Sequence, residues 1–365
     1  MSLTSSGVRT PLLPEQVSGF AAQLRGPVIQ PGDPSYDEAR AVYNAMIDKH
    51  PALIAQCADV ADVIATVNLA REHGLPLAVR GGGHNGAGLG TVEGGIVLDL
   101  GLMNGIRVDP TAHTARVEGG ATLGDVHHAT FPFGLVTPSG IISTTGVGGI
   151  TLGGGLGYLT RKFGLAIDNL LEADVVLADG TLVTASPDQH PDLFWALRGG
   201  GGGNVGVVTS FTLRTSAADD VSMASITWPW DEAAQVIAAW QEWAPHTDAR
   251  LSSSLAIFRP DAGVIGFTGV LLGPVEELEA LLAPMLATGA PMANVRSLSW
   301  SEAAEELAGP AIDQIAFKNG SAFAYQPLPP EAISLIISQM AVAPAPSNLI
   351  SFFALGGAIG KIARS

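Results

Sequence analysis

Cysteine is nearly absent from this chain. Of 365 residues only Cys57 carries a thiol, which excludes an internal disulfide and leaves nothing from which to build a cysteine-ligated metal site. Cys57 lies in the apolar helical pattern Ile54 to Ala70 and reads as a small buried hydrophobe rather than a reactive thiol. Basic residues are scarce as well. Eighteen Lys and Arg stand against 34 Asp and Glu, a formal charge of −16, so the overall field repels phosphodiester backbones and acidic membrane faces. Nucleic acid and membrane are therefore not expected partners. No run of about 18 apolar residues exists to span a bilayer. Met1 to Pro14 lack the basic start and apolar stretch of a secretory signal, so a cytoplasmic location follows by default.

Several catalytic patterns are missing too. There is no G-x-S-x-G nucleophile elbow and no H-E-x-x-H metal pair among the 8 histidines. A phosphate-binding G-x-x-x-x-G-K-[ST] is absent, because Gly360-Lys361 is followed by Ile362. His127 and His128 are adjacent and cannot share a helix face; they are expected on a helix beside the glycine-rich region, not as metal ligands.

What the chain has in excess is glycine. It holds 45 glycines, against a usual share of about 7%, gathered at residues 81–90, 146–157 and 199–206. No solenoid-length repeat accompanies them. Clustered glycine implies close main-chain approach to something. The first block, Arg80-Gly81-Gly82-Gly83-His84-Asn85-Gly86-Ala87-Gly88, follows the apolar run Leu75 to Val79, so a strand delivers it to a strand end. Three successive glycines leave their N–H groups available to surround an anion, Arg80 can neutralise it, and one imidazole sits inside the loop. A plain surface turn with an incidental histidine is the alternative.

The second block runs from Pro138 to Gly157. Its glycines let the backbone approach a flat ring or a pyrophosphate, and Ser143, Thr144 and Thr145 add directed hydroxyls. A glycine-lined packing seam explains the same residues. The third block, Arg198 to Gly206, contains a literal G-x-G-x-x-G at Gly201, Gly203 and Gly206, but a helix-like Asp192 to Leu197 precedes it and the β-branched run Val207 to Thr209 follows. A dinucleotide fingerprint needs the reverse order.

A chain of this length suits two domains. Helical spacing at Ser35 to Lys49 and Ala58 to His73, with short apolar runs at Ala52 to Ile54 and Leu77 to Val79, predicts a small α/β lobe. Short strands follow at Gly95 to Leu100, Gly105 to Asp109, Thr114 to Glu118, Leu171 to Leu177, Thr181 to Thr184 and Val207 to Leu213, expected to form a mixed sheet. Asn104-Gly105 and Asp179-Gly180 are hairpin candidates. Glycine thins out around Thr215 to Met223, which places a boundary between residues 1–217 and 218–365. Beyond it, helices at Asp231 to Trp243, Val275 to Leu286 and Glu331 to Met340 alternate with strands at Leu251 to Phe258, Gly263 to Leu272 and Leu349 to Leu355. An α+β layer with helices on one face of an antiparallel sheet fits this order. Trp228, Trp230, Trp240 and Trp243 either pack this core or line a cavity at the domain junction.

Four motifs in order now resemble one family: Arg80 to Asn85; Gly119-Gly120-Ala121-Thr122-Leu123-Gly124-Asp125-Val126; Thr145 to Gly149 with Gly153 to Gly157; and Asp192-Leu193-Phe194-Trp195-Ala196-Leu197-Arg198-Gly199-Gly200-Gly201. They are similar to the FAD-linked oxidases of the vanillyl-alcohol oxidase superfamily, nearest to the berberine-bridge-enzyme-like branch, across residues 31–365. The resemblance implies a PCMH-type, two-lobed FAD-binding domain followed by an antiparallel-sheet substrate domain. It implies FAD bonded covalently through His84, with Arg80, Gly81, Gly82, Gly83, Asn85, Gly88, Gly140, Thr144, Thr145, Gly146, Gly148, Gly149, Gly153 and Val207 around it. Ile142 stands where doubly linked members have a cysteine, so a single link is expected. Val205 stands where many relatives have an aromatic. Relatives also continue beyond Ser351 to Ser365 into a segment that returns to the flavin domain, so the family pattern implies an unpaired strand edge here.

The implied activity is hydride transfer from a small organic substrate (amine, alcohol or sugar) to the flavin, with dioxygen as acceptor. The catalytic base is not assigned, and oligomeric state is not legible. The competing expectations are a non-catalytic flavin-binding remnant and a non-covalent FAD reductase using a pyridine nucleotide. The second lacks a further dinucleotide motif.

Overall fold

A computed structural model describes residues 12–218, 221–310, 312 and 314–362 of the chain; most of the amino-terminal stretch and the final three residues, Ala363 to Ser365, lie outside these. The fold is α+β, built on four sheets. The first has four strands in the order Val28–Ile29, Leu53–Gln56, Ile96–Asp99, Leu77–Arg80, the last three mutually parallel. The helix Val60–Glu72 covers it. Asp59 caps that helix by accepting from the Asp62 N–H at 3.1 Å, and Gly74 ends it at φ +62°. Val63, Val67 and Ala70 form its buried stripe against Leu53, Ala55, Ile96 and Leu98.

The second sheet, in the order Ile106–Asp109, Thr114–Glu118, Val207–Arg214, Leu170–Val176, Leu182–Ala185, is antiparallel throughout. The helices Leu123–Thr130 and Pro191–Leu197 pack on its core. A two-stranded ladder joins Leu135–Val136 to Ser216–Ala217. The third large sheet runs Met292–Leu298, Val221–Pro229, Val264–Leu271, Leu251–Ile257, Ile350–Phe353 and is also antiparallel. Its strands alternate strictly. Ala224, Ile226 and Trp228 bury against the helices Ala233–Trp243, Val275–Leu286 and Pro330–Ala341, while Ser225 and Thr227 take the opposite face. Trp228, Trp230, Trp240 and Trp243 all belong to that core; Trp228 is fully buried, lies edge-on to Phe267 and donates to the Thr288 carbonyl at 2.7 Å.

Five sequence expectations need correction. The helix foreseen over Ser35 to Lys49 is confined to Tyr36–Arg40. Beyond it the backbone groups bond across the molecule, Tyr43 N–H to the Gly83 carbonyl and Ala45 N–H to the Ile315 carbonyl, so no i to i−4 ladder forms. The strand at residues 96–99 does not join the second sheet but inserts between the strands of the first, which makes that sheet the mixed one. Asn104-Gly105 does not turn a hairpin; the turn lies at residues 110–113, where the Asp109 carboxylate accepts from the N–H groups of Thr111 and Ala112. Cys57 precedes the helix and follows a strand, fully buried, and burial pushes its thiol up to about 12. The second sheet is not mixed.

The two halves meet at an apolar seam formed by Val136, Leu159, Val221, Met223, Val270 and Trp300. Arg161, 2% exposed, crosses it: its guanidinium donates to the carbonyls of Leu355 at 2.6 Å and Thr247 at 2.9 Å. His127 lies near this seam, stacked on Phe131 with ring centroids 5.1 Å apart and with Nε2 3.5 Å from Ser139 Oγ. Burial lowers its pKa to about 4, from 6.5 in the unfolded chain. A depressed folded-state value means that the neutral ring is the stable form, so stability is complete above pH 6.5 and is lost as pH falls toward 4. The shift corresponds to roughly 3 kcal/mol. Unfolding free energies from urea titrations at pH 7 and pH 4 should therefore fall by that much less in His127→Leu than in the parent; an equal fall would assign His127 an ordinary pKa.

Candidate functional site

Arg80 closes its strand with Asp99 directly opposite on the parallel neighbour, and the two side chains pair at 2.7 Å, both buried. The guanidinium also reaches the Ala41 carbonyl at 3.4 Å. Its charge is thus paired inside the protein. Arg80 anchors the loop. After it the chain turns through Gly83 at φ +71°, a left-handed conformation that favours glycine. Among the described residues, no N–H from Gly81 to Gly86 has an intramolecular acceptor. Six successive unpaired amides in a loop are a ready cradle for an anion. Asn85 shapes its own turn: its Oδ1 accepts from Ala87 N–H at 3.1 Å and Leu89 N–H at 3.2 Å.

The second glycine block meets this loop backbone to backbone. A Cβ placed on Gly82 would lie 2.3 Å from Gly146 N, and one placed on Gly146 would lie 2.2 Å from Gly82 N. No residue but glycine fits either position without moving main chain. The block is held there by the helix Leu123–Thr130, which Thr122 and Asp125 close in a capping box. Leu123 N–H donates to the Thr145 carbonyl at 2.9 Å, Gly124 N–H to the Ser143 carbonyl at 2.8 Å and Val147 N–H to the Ala121 carbonyl at 2.8 Å. These bonds fix Thr144 and Thr145 beside His84.

His84 is held on three sides. Its Nε2 is 2.9 Å from Thr144 Oγ1, its Nδ1 is 3.4 Å from Thr145 Oγ1, and its ring stacks on Tyr43 with centroids 4.0 Å apart and planes at 14°. Burial lowers the imidazole pKa, partly offset by a hydrogen bond to the Thr144 main chain, and the net effect favours the neutral ring with one lone pair. Tyr43 and its neighbour are in turn gripped by the far domain. Asn44 Nδ2 donates to the carbonyls of Gly86 at 2.8 Å and Phe317 at 3.1 Å; Gln314 donates to the Val42 carbonyl; and Phe317 meets Tyr43 edge-on at 6.0 Å. Sequence reasoning missed Tyr43, Asn44, Gln314 and Phe317. Buried Asn44 was concealed inside an apparent helix, and residues 314–317 carry no local signal.

The remaining predicted residues divide. Gly81, Gly82, Gly83, Thr144, Thr145 and Gly146 come together around His84. Gly148 approaches the Gly119 carbonyl, and Gly149 faces open space. Gly88 and Gly140 are explained by packing, since a Cβ would strike Ile47 or Ile150; Gly153 ends the short helix Val147–Leu152. Val207 has its side chain 4% exposed, in the core of the first lobe. The third block behaves as its flanks foretold, with the helix Pro191–Leu197 before it and the strand Val207–Arg214 after it.

Unpaired amides, neutral hydroxyls and side-chain-free backbone fit a dinucleotide carrying a flat ring. A second feature lies on the open face of the third large sheet. A cross-strand row of neutral side chains, Asn294, Ser225, Thr268 and Ser254, ends at Phe353. Tyr158 approaches it from the first half of the chain, its hydroxyl 2.7 Å from Ser254 Oγ. Burial pushes that phenol above its ordinary value, its bonds to Ser254 and Thr268 offsetting part of the effect.

The crossing of the two glycine loops makes a steric prediction. Gly146→Ala should destabilise the protein by roughly 1–3 kcal/mol, because main chain must shift, and should lower its flavin content. Gly149→Ala, whose new methyl meets nothing, should leave stability within about 1 kcal/mol of the parent. Thermal unfolding of the two variants, with flavin absorbance, checks this; equal stability of Gly146→Ala would mean that the loops do not touch.

Residues 51–186 match the family model described as an FAD binding domain. Across 347 residues the chain is 38% identical to the FAD-linked oxidoreductase YgaK of Bacillus subtilis (strain 168), covering 93% of this chain and 77% of that one. It is 42% identical over 191 residues to (R)-6-hydroxynicotine oxidase of Paenarthrobacter nicotinovorans, covering 52% of this chain and 42% of that enzyme. The fold superposes on wild-type BBE-like 1 of Physcomitrella patens with a TM-score of 0.85 at 27% identity, covering 95% of this chain and 79% of that one. The chain therefore belongs to the FAD-linked oxidoreductases with a PCMH-type FAD-binding domain, in the vanillyl-alcohol oxidase and berberine-bridge-enzyme-like family, and is an FAD-dependent oxidoreductase.

Proposed function

We propose that this oxidoreductase is an oxidase of a small organic substrate, an amine, alcohol or sugar, with its FAD bonded covalently to His84 and dioxygen as the electron acceptor. In this reading residues 1–217 hold the cofactor and residues 218–365 the substrate. The observation that carries it is the setting of His84: a neutral imidazole at the crossing of two side-chain-poor loops, with both ring nitrogens beside hydroxyls. FAD, when bound, supplies a hydride acceptor at N5 and passes the electrons on to dioxygen.

The chain's own groups then have simple tasks. The amides of Gly81 to Gly86 hold the pyrophosphate, in place of the arginine that Asp99 neutralises. Thr144 and Thr145 orient the imidazole. The neutral row from Asn294 to Ser254, with Tyr158, binds the substrate through hydroxyl and amide hydrogen bonds, and the apolar seam keeps water from the junction.

Denaturation separates this reading from its rivals. After acid precipitation the parent protein should remain yellow, and His84→Ala should release all its flavin. Colour that survives denaturation in the variant would place the link elsewhere. Anaerobic bleaching by one member of an amine, alcohol and sugar panel, with none by NADPH, is the expected substrate result; bleaching by NADPH alone would identify a reductase.

A further inference from the structure

The two contacts of His84 are unequal, and the difference assigns them different tasks. Nε2 is 2.9 Å from Thr144 Oγ1, whereas Nδ1 is 3.4 Å from Thr145 Oγ1, near the outer limit of a hydrogen bond. A neutral imidazole has one N–H and one lone pair, and the nitrogen holding the stronger bond keeps the proton when its partner accepts it. Thr144 cannot drift. Its neighbours are pinned by the bonds from Gly124 N–H to the Ser143 carbonyl and from Leu123 N–H to the Thr145 carbonyl, and the Gly82–Gly146 contact fixes the loop against the residues that precede His84. Tyr43, stacked at 14° to the imidazole, fixes the plane of the ring, and Phe317 and Asn44 hold Tyr43 from the second domain.

We propose that Thr144 is the positioning residue for covalent flavin attachment: its hydroxyl accepts Nε2–H of His84, which leaves the lone pair on Nδ1 as the nucleophile. The proposal rests on the reading that His84 carries the flavin. In the step, Nδ1 forms a bond to the carbon of the flavin 8-methyl group and one C–H bond of that methyl breaks. The carbon loses one proton and Nε2 the other, and two electrons pass to the ring system and on to dioxygen, giving hydrogen peroxide. Positive charge grows on the imidazole as Nδ1 bonds, and the Thr144 oxygen at Nε2 stabilises it. The weak contact to Thr145 is the one that gives way.

The test uses the full chain prepared without flavin, mixed with FAD in air, with acid-stable flavin followed over time in the parent, Thr144→Val, Thr144→Ser and His84→Ala. Losing one hydrogen bond to a developing charge should slow attachment about tenfold or more in Thr144→Val, while total bound flavin before acid treatment stays at the parent level. Thr144→Ser, which keeps the hydroxyl, should restore the parent rate. Magnetic resonance of the flavin peptide cut from the parent should show the bond at Nδ1. Attachment at the parent rate in Thr144→Val, failure of Thr144→Ser to recover it, or a bond at Nε2 would each overturn the proposal. Absence of acid-stable flavin in the parent, or its presence in His84→Ala, would overturn the His84 reading itself, so the two failures are told apart.

Discussion

Everything in this site depends on two stretches of main chain touching where no side chain fits. At Gly82 and Gly146 the backbones approach so closely that a single added methyl would overlap a peptide nitrogen. That contact brings a loop from the end of the first sheet against a segment ordered by the second sheet's capped helix. His84 and Thr144 become neighbours because of it, although 60 residues separate them in the chain. Glycine is costly in conformational entropy, and tolerating it at paired positions makes sense where the reward is a shared wall between two lobes. The same close approach leaves the loop's amides without internal partners, which matches a protein whose net negative charge must hold an anionic cofactor by local dipoles alone.

The second domain contributes more than a roof. Residues 314–317 bond to Val42 and Asn44, and Phe317 abuts Tyr43, so the ring on which His84 stacks is set from the far side of the molecule. Arg161 ties the halves together at another point, its two terminal guanidinium nitrogens donating to carbonyls rather than to a carboxylate. A buried cation with such partners is costly to disturb, which favours one fixed domain arrangement over a hinge. On the open face of the third large sheet the strand alternation that buries Ile226 and Trp228 necessarily presents Ser225 and Thr227 to the other side. Core packing and the polar lining of the open face are thus two consequences of one register.

Much of this was legible in the chain. Helices at residues 60–72, 233–243, 275–286 and 330–341 follow from apolar spacing, and the rejection of Gly201, Gly203 and Gly206 as a dinucleotide motif followed from the elements on either side. The glycine loops around His84 were visible because residues without side chains leave a compositional mark. The failures have physical causes as well. The pairing of Arg80 with Asp99 was not foreseen because it comes through parallel pairing of strands, a relation that no local pattern records. Tyr43 and Asn44 lie where helical spacing continues, yet their backbone and side-chain bonds run to the 83–86 loop and to residues 315–317, and tertiary bonds overrode propensity. The strand at residues 96–99 was assigned to the wrong sheet because a central parallel strand is apolar on both faces and carries no alternation to identify its neighbours.

The chemistry hinges on His84 being the atom-level link between chain and cofactor. Intact mass measurement of the purified protein, followed by proteolysis and sequencing of the flavin-bearing peptide, tests that directly. A polypeptide heavier by one FAD less two hydrogens, with the modification on the peptide containing His84, is the expected result. An unmodified mass from yellow protein, or flavin on any other peptide, would contradict it.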